Sequence, residues 1–184
     1  MTALTNTTSS QTAAHTAMGS QDPTQYLTFM LAGEVFALGI LAVKEIIEYH
    51  SLTVVPMMPD CVRGVINLRG AVVPVMDLLA RFGRKSSEVT KRTCIVIVEV
   101  QTAEQERQVI GVIVDAVNEV LDIAASDIEP APAFGARIRT DFIQGMGKVK
   151  GKFVILLDAD HVLSMDEITQ LAQTPAQTSA MALN

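Results

Sequence analysis

The sequence has no tryptophan, two cysteines, three histidines and only 4% aromatic residues, and no lysine or arginine precedes Lys44. Each shortage excludes something. Cys61 and Cys94 stand in no CxxC pair and beside no histidine. One disulfide is arithmetically open, but two buried thiols in a reducing compartment is the expected state. His15, His50 and His161 show neither H-x-x-x-H nor HExxH spacing, so no metal or other cofactor is expected. Without a basic N-terminal stretch there is no expectation of a signal or transit peptide. Apolar runs such as 35–43 fall well short of the about 20 residues that span a bilayer. The chain is therefore expected to be cytoplasmic and not inserted in a membrane. Few aromatics imply a core built from aliphatic side chains. Scarce basic residues, a net charge of −6 and a pI near 5.0 argue against a nucleic-acid partner.

What is present is apolar. Hydrophobic residues make up 49% of the 184 and charged ones 18%, enough for a real core. Residues 1–23 form a Thr/Ser/Ala/Gln tract and 173–184 resemble it; both are expected to be flexible tails around a folded part at 24–172. Within that part the signal is β. Short Val- and Ile-rich runs at 26–31, 35–40, 43–49, 65–68, 71–76, 93–100 and 109–114 are separated by turns carrying Gly, Pro or charge. Ala32-Gly33-Glu34 and Arg69-Gly70 read as hairpin turns. Helical signals are few: Asp77 as the cap of a short helix through Arg81, and Ser164 with Glu167 as a capping box opening a helix over 165–172.

The most informative feature is an internal repeat. Residues 35–47 (VFALGILAVKEII) align without gaps on 109–121 (VIGVIVDAVNEVL), and 64–82 on 145–163, with Gly, a basic residue, Gly, an apolar strand and Asp in register. Extra residues in the second half fall in the loop-like region 130–139. Each half then holds about five strands, too few to hide both faces as an open sheet, so each is expected to close into a small barrel. The break between halves lies near 85–92. Two barrels side by side would leave a crevice between them for a partner.

No reactive constellation accompanies this fold. There is no G-x-S-x-G elbow, no phosphate-binding P-loop and no dinucleotide fingerprint. An apolar strand ending in Asp158 resembles a receiver-domain phosphorylation site, but the acidic pair and alternating βα units of that chemistry are missing. The repeat instead makes Asp158 the counterpart of Asp77, a helix cap. Glu45 and Glu119 are likewise repeat partners, so their pairing needs no acid–base role. Arg69 sits in the tight turn Asn67-Leu68-Arg69-Gly70, beside apolar Leu68 and Val72, a plausible interface anchor.

The phrase GVINLRGAVVPVMDLL at 64–79, with VKEI at 43–46, VIGVIVDAVNEVL at 109–121 and IQGMGK at 143–148, closely resembles the CheW adaptor family. The match runs in order through nearly all of 24–172. The resemblance implies two intertwined SH3-like, five-stranded β-barrels with short helices and a C-terminal helix. It also implies a non-enzymatic scaffold that joins the cytoplasmic tip of a chemoreceptor to the regulatory domain of the histidine kinase CheA, recruited to membrane receptor arrays. By this resemblance Arg69, Val43, Glu45 and Val72 would face the receptor, and Ile95 and Val96 the kinase, although buried strand positions are an equal reading of that pair. Ring assembly with kinase domains is a further implication. The alternatives are an adaptor of the same fold in a pilus-motility or second-messenger pathway, and a phosphorylatable relative.

Overall fold

The structure, a computed structural model, describes residues 22–132 and 138–173. Both expected tails lie outside the described residues except at Asp22, Pro23 and Gln173, as does the middle of the expected 130–139 loop. Among the described residues, eleven strands and three α-helices occur in the order β1 (Thr24–Leu31), β2 (Glu34–Gly39), β3 (Val43–Glu48), β4 (Val62–Leu68), β5 (Ala71–Asp77), α1 (Leu78–Arg81), β6 (Cys94–Gln101), β7 (Arg107–Val114), β8 (Ala116–Ile123), β9 (Ile128–Glu129), β10 (Ile143–Val149), β11 (Lys152–Leu157), α2 (Ala159–Val162) and α3 (Met165–Gln173). The all-β expectation holds, with helices confined to short segments.

The sheets are ordered β8-β1-β2-β11-β10-β9, here barrel A, and β3-β6-β7-β5-β4, here barrel B. The halves of the repeat do not each close on themselves, as their strand count had suggested. Units β1–β5 and β6–β11 instead exchange their first hairpins. Barrel B takes β3, β4 and β5 from the first unit with β6 and β7 from the second, and barrel A takes the remainder. Barrel B is consequently one continuous stretch, inserted between β2 and β8 of barrel A. The exchange is sealed by two parallel pairings, β5 with β7 and β11 with β2.

Each barrel closes where the chain beyond its edge strand crosses β4 or β10. In barrel B this is a bridge between Thr53 and Val65, with reciprocal backbone hydrogen bonds of 3.0 and 2.8 Å. In barrel A it is β9, whose Glu129 and Ile128 pair with Met146 and Gly147. The repeat's paired glycines have their reason here. A Cβ on Gly64 would stand 2.5 Å from the Thr53 carbonyl oxygen, and one on Gly145 would stand 2.9 Å from that of Glu129. Only glycine lets the closing segment pass so near.

The hairpin turns also follow the sequence. Ala32-Gly33, Arg69-Gly70 and Lys150-Gly151 all have positive φ at both residues, the two-residue turn whose twist matches paired strands. Asp77 accepts from the Ala80 N–H and Asp158 from the His161 N–H, each at 3.2 Å, so both repeat aspartates cap helices. Ser164 Oγ accepts from the Glu167 N–H at 3.4 Å at the start of α3.

Burial departs from expectation in two ways. Each barrel has a small interior, built from Tyr26, Ala37, Ile123, Val154 and Leu156 in barrel A and from Ile66, Val73, Val75, Ile95 and Ile97 in barrel B. The largest core lies between the barrels, where Leu27, Phe29 and Leu31 of β1 meet Val96, Val98 and Val100 of β6. The depth of the expected crevice is therefore packed, and a surface recess remains at the β2–β3 link, lined by Gly39, Leu41, Gln144 and Asp158. The centre of the core is also not purely aliphatic: Phe29, Phe36, Phe82 and Phe142 form a run of rings with centroids 6.3, 5.8 and 6.2 Å apart. A scarce residue type is concentrated where the barrels join.

Candidate protein-docking site

Strand β3 is the outer strand of barrel B, and its residues alternate between exposed and half-buried, as an edge strand should. A register shift between Val43 and Glu45 divides their roles. Val43 lies opposite Val98 and packs on the central core, whereas Glu45 lies opposite Ile97, on the barrel B side. Across the barrel mouth stands the β4–β5 turn. There Asn67 Oδ1 accepts from the Gly70 N–H at 2.9 Å, fixing the turn and aiming Arg69 outward.

Arg69 and Glu45 meet as a two-pronged pair. Nη1 donates to Oε1 at 2.8 Å and Nη2 to Oε2 at 2.7 Å. This planar fork is the geometry that distinguishes arginine from lysine in ion pairing. The hydrogen bonds from Arg69 hold the Glu45 carboxyl below its ordinary value, and Glu45 raises the guanidinium in return. Exposure keeps the pair's contribution to folding small. Its main effect is to fix the direction of two charges and tie the hairpin to β3.

Exposed apolar side chains occur on or next to the two elements that carry the pair. Val72 is 72% exposed and Leu41, on the turn leading into β3, is 97% exposed. Ile46 shares the face of Val43 through its pairing with Val96 and remains partly exposed. Leu41 and Ile46 were missed by sequence reasoning, because an apolar residue beside a strand reads as core unless its neighbours in space are known.

Ile95 and Val96 are both fully buried. Strand β6 lies between β3 and β7, so its backbone is paired on both edges while Ile95 enters barrel B and Val96 the central core. Of the two readings of this pair, buried strand positions and a kinase-facing surface, their burial favours the first, and both side chains hold the fold. The cysteines are free, Cys61 buried and Cys94 only partly so, which corrects the expectation of two buried thiols. Burial pushes the Cys61 thiol up. Glu119, the counterpart of Glu45, is held by its backbone, whose N–H donates to Thr28 Oγ1 and whose carbonyl accepts from it.

Among the described residues no group of three or more His, Cys, Asp or Glu side chains is placed to hold a metal ion, and no helix is long and apolar enough to cross a membrane. Two interlocked barrels, an ion-paired hairpin and exposed apolar side chains define a protein-interaction scaffold.

The comparisons give its family. A model of the CheW-like domain matches residues 25–176. The chemotaxis protein CheW of Klebsiella aerogenes is 33% identical over 144 residues, covering 78% of this chain and 84% of that one. That of Bacillus subtilis is 35% identical over 141 residues, covering 76% and 86%. The crystal structure of the scaffolding protein TtCheW from Thermoanaerobacter tengcongensis superposes with a TM-score of 0.69 at 34% identity, covering 83% of this chain and 95% of that one. This chain belongs to the CheW family.

Proposed function

We propose that the chain is the non-enzymatic coupling protein of a bacterial chemotaxis system, binding chemoreceptors and the histidine kinase CheA and so placing the kinase under receptor control. The supporting observation is the Arg69–Glu45 fork beside exposed Val72. The receptor's helical tip would dock here on barrel B, with Val43 supporting the surface from beneath. Apolar contacts supply affinity, and the oriented charges supply register and selectivity. Joining two partners raises their effective concentration and fixes their orientation. A change in the receptor then reaches the kinase through contacts that differ between signalling states. The CheA regulatory domain would use a different face, composed of side chains other than Ile95 and Val96, and the complex would gather at receptor arrays.

The test is CheA autophosphorylation in receptor-containing membranes, with and without the protein. Stimulation that attractant suppresses is expected, and Arg69→Glu should abolish it while leaving the thermal midpoint within about 2 °C of the parent. No stimulation with a cognate receptor and kinase would overturn the assignment. A melted Arg69→Glu variant would instead make Arg69 structural, and Arg69→Gln would then separate charge from fold.

A further inference from the structure

The two repeat units end in equivalent hairpins with different charge balance. Lys150 occupies in the β10–β11 turn the position of Arg69 in the β4–β5 turn, and Phe153 occupies that of Val72. Arg69 is neutralised within the molecule by Glu45. Lys150 has no such partner: Lys148, Lys150 and Lys152 are all exposed, and none has an ion pair among the described residues. Three unneutralised cations within five residues stand out on a chain of net charge −6.

An apolar recess adjoins the Lys148 face of the hairpin, while Lys150 stands in the turn and Lys152, opposite Val149, on the other face. Phe153, 52% exposed, lines a cleft with Pro130, Pro132, Met146 and Glu129. Lys148 is the cross-strand partner of Phe153, which brings charge and ring onto one face. The prolines have a structural consequence as well. Strand β9 ends at Glu129, opposite Met146, and Pro130 brings no N–H to extend it, so the pairing does not continue along β10 toward Gly145.

We propose that this hairpin and cleft form a second docking site, which takes an acidic peptide segment of a protein partner with an apolar side chain seated against Phe153. Charge complementarity selects the occupant. A recess walled by two prolines fits a single side chain better than the flat face of a bilayer, and the chain's net negative charge repels an anionic membrane. Glu129 in the cleft wall opposes a phosphate backbone. It also gives the site polarity: the peptide's carboxylates lie toward the lysines and its anchor toward Phe153.

The full chain would be titrated against a fluorescent peptide of sequence EELEDLEE, with QQLQNLQQ as the neutral control. Saturable binding of the acidic peptide alone is expected, weakened as salt rises because exposed pairs are screened. Replacing Lys148, Lys150 and Lys152 together by Gln should weaken it about tenfold, each exposed ion pair carrying a factor of about two to three. Phe153→Ser should weaken it while leaving the salt dependence in place. Thermal melts of both variants within about 2 °C of the parent would show intact folding; if either melts, the single Lys148→Gln and Lys150→Gln variants replace it. Equal binding of the two peptides, undiminished binding by the triple variant, or lysine-dependent capture by anionic lipid vesicles without peptide binding would each overturn the proposal.

Discussion

Arg81 offers the sharpest test of how the barrels are joined. It ends α1, directly after β5 of barrel B, yet its contacts are with the segments that precede β10 and follow β11 of barrel A. Its side chain is 5% exposed. Nε donates to the Val162 carbonyl at 3.0 Å, Nη2 to Glu167 Oε2 at 3.0 Å, and the guanidinium lies 4.5 Å from the Phe142 ring centroid. Arg139 covers the same ring at 4.5 Å and also binds Glu167. In Arg81→Ala the Val162 carbonyl loses a charged donor, at about 1.5–3 kcal/mol. The cation–π contact adds about 1 kcal/mol. The pair with partly exposed Glu167 adds less than about 1 kcal/mol after solvent screening, particularly as Arg139 remains. The expected loss is about 3–4 kcal/mol, or a drop in thermal midpoint of about 10 °C for a domain of this size. Arg81→Met retains the apolar stem and should lose noticeably less. Calorimetry of both variants is the assay. A midpoint for Arg81→Ala within about 2 °C of the parent would refute the view that this arginine clasps the barrels.

Other outcomes follow from the same structure. Gly64→Ala should cost about 2–3 kcal/mol in urea unfolding, because the added Cβ meets the Thr53 carbonyl and breaks the reciprocal bridge; Gly145→Ala should cost less, since its nearest obstacle is a side-chain methyl of Ile128. An equal or reversed order would count against barrel closure as the reason for glycine. Ile95→Ala should destabilise by about 2–5 kcal/mol, whereas Val72→Ala should change the midpoint little and weaken receptor binding. The carboxyls of Glu45, Asp141 and Glu167 are all held low by arginine hydrogen bonds. Their stabilisation is thus present above the ordinary carboxylate value of about 4 and is lost as pH falls through their lower folded values. Stability should be level from about pH 7 to 5 and decline below about 4; a decline beginning near pH 6 would point to other groups.

The parts legible in the sequence were those fixed by local chemistry. Positive-φ turns at Ala32-Gly33 and Arg69-Gly70, the Asp77 and Asp158 caps, and the Ser164 start of α3 each depend on a few adjacent residues. The repeat was legible because glycine at 64 and 145 answers one steric demand twice. The exchange of hairpins was not, since a strand's alternation states which face is buried and not which unit supplies its neighbour. The continuous run from Ile95 to Val98 left interface and core equally open for a related reason: a strand buried on both faces has no polar side to mark it. Glu45 and Arg69 were each singled out, but their pairing spans 24 positions and depends on the barrel mouth closing.

The insertion of barrel B within barrel A also orders the protein's birth on the ribosome. All strands of barrel B are made by Val114, so that barrel can close while synthesis continues. The β1–β2 hairpin is made first but must wait for the last strand of all, because Phe36 and Ala37 pair with Ile155 and Leu156 of β11. Until then Phe29 and Phe36 lack the rest of their barrel. Nascent chains halted before β11 would thus carry one finished barrel and one sticky hairpin, and are the species for which a chaperone would be needed.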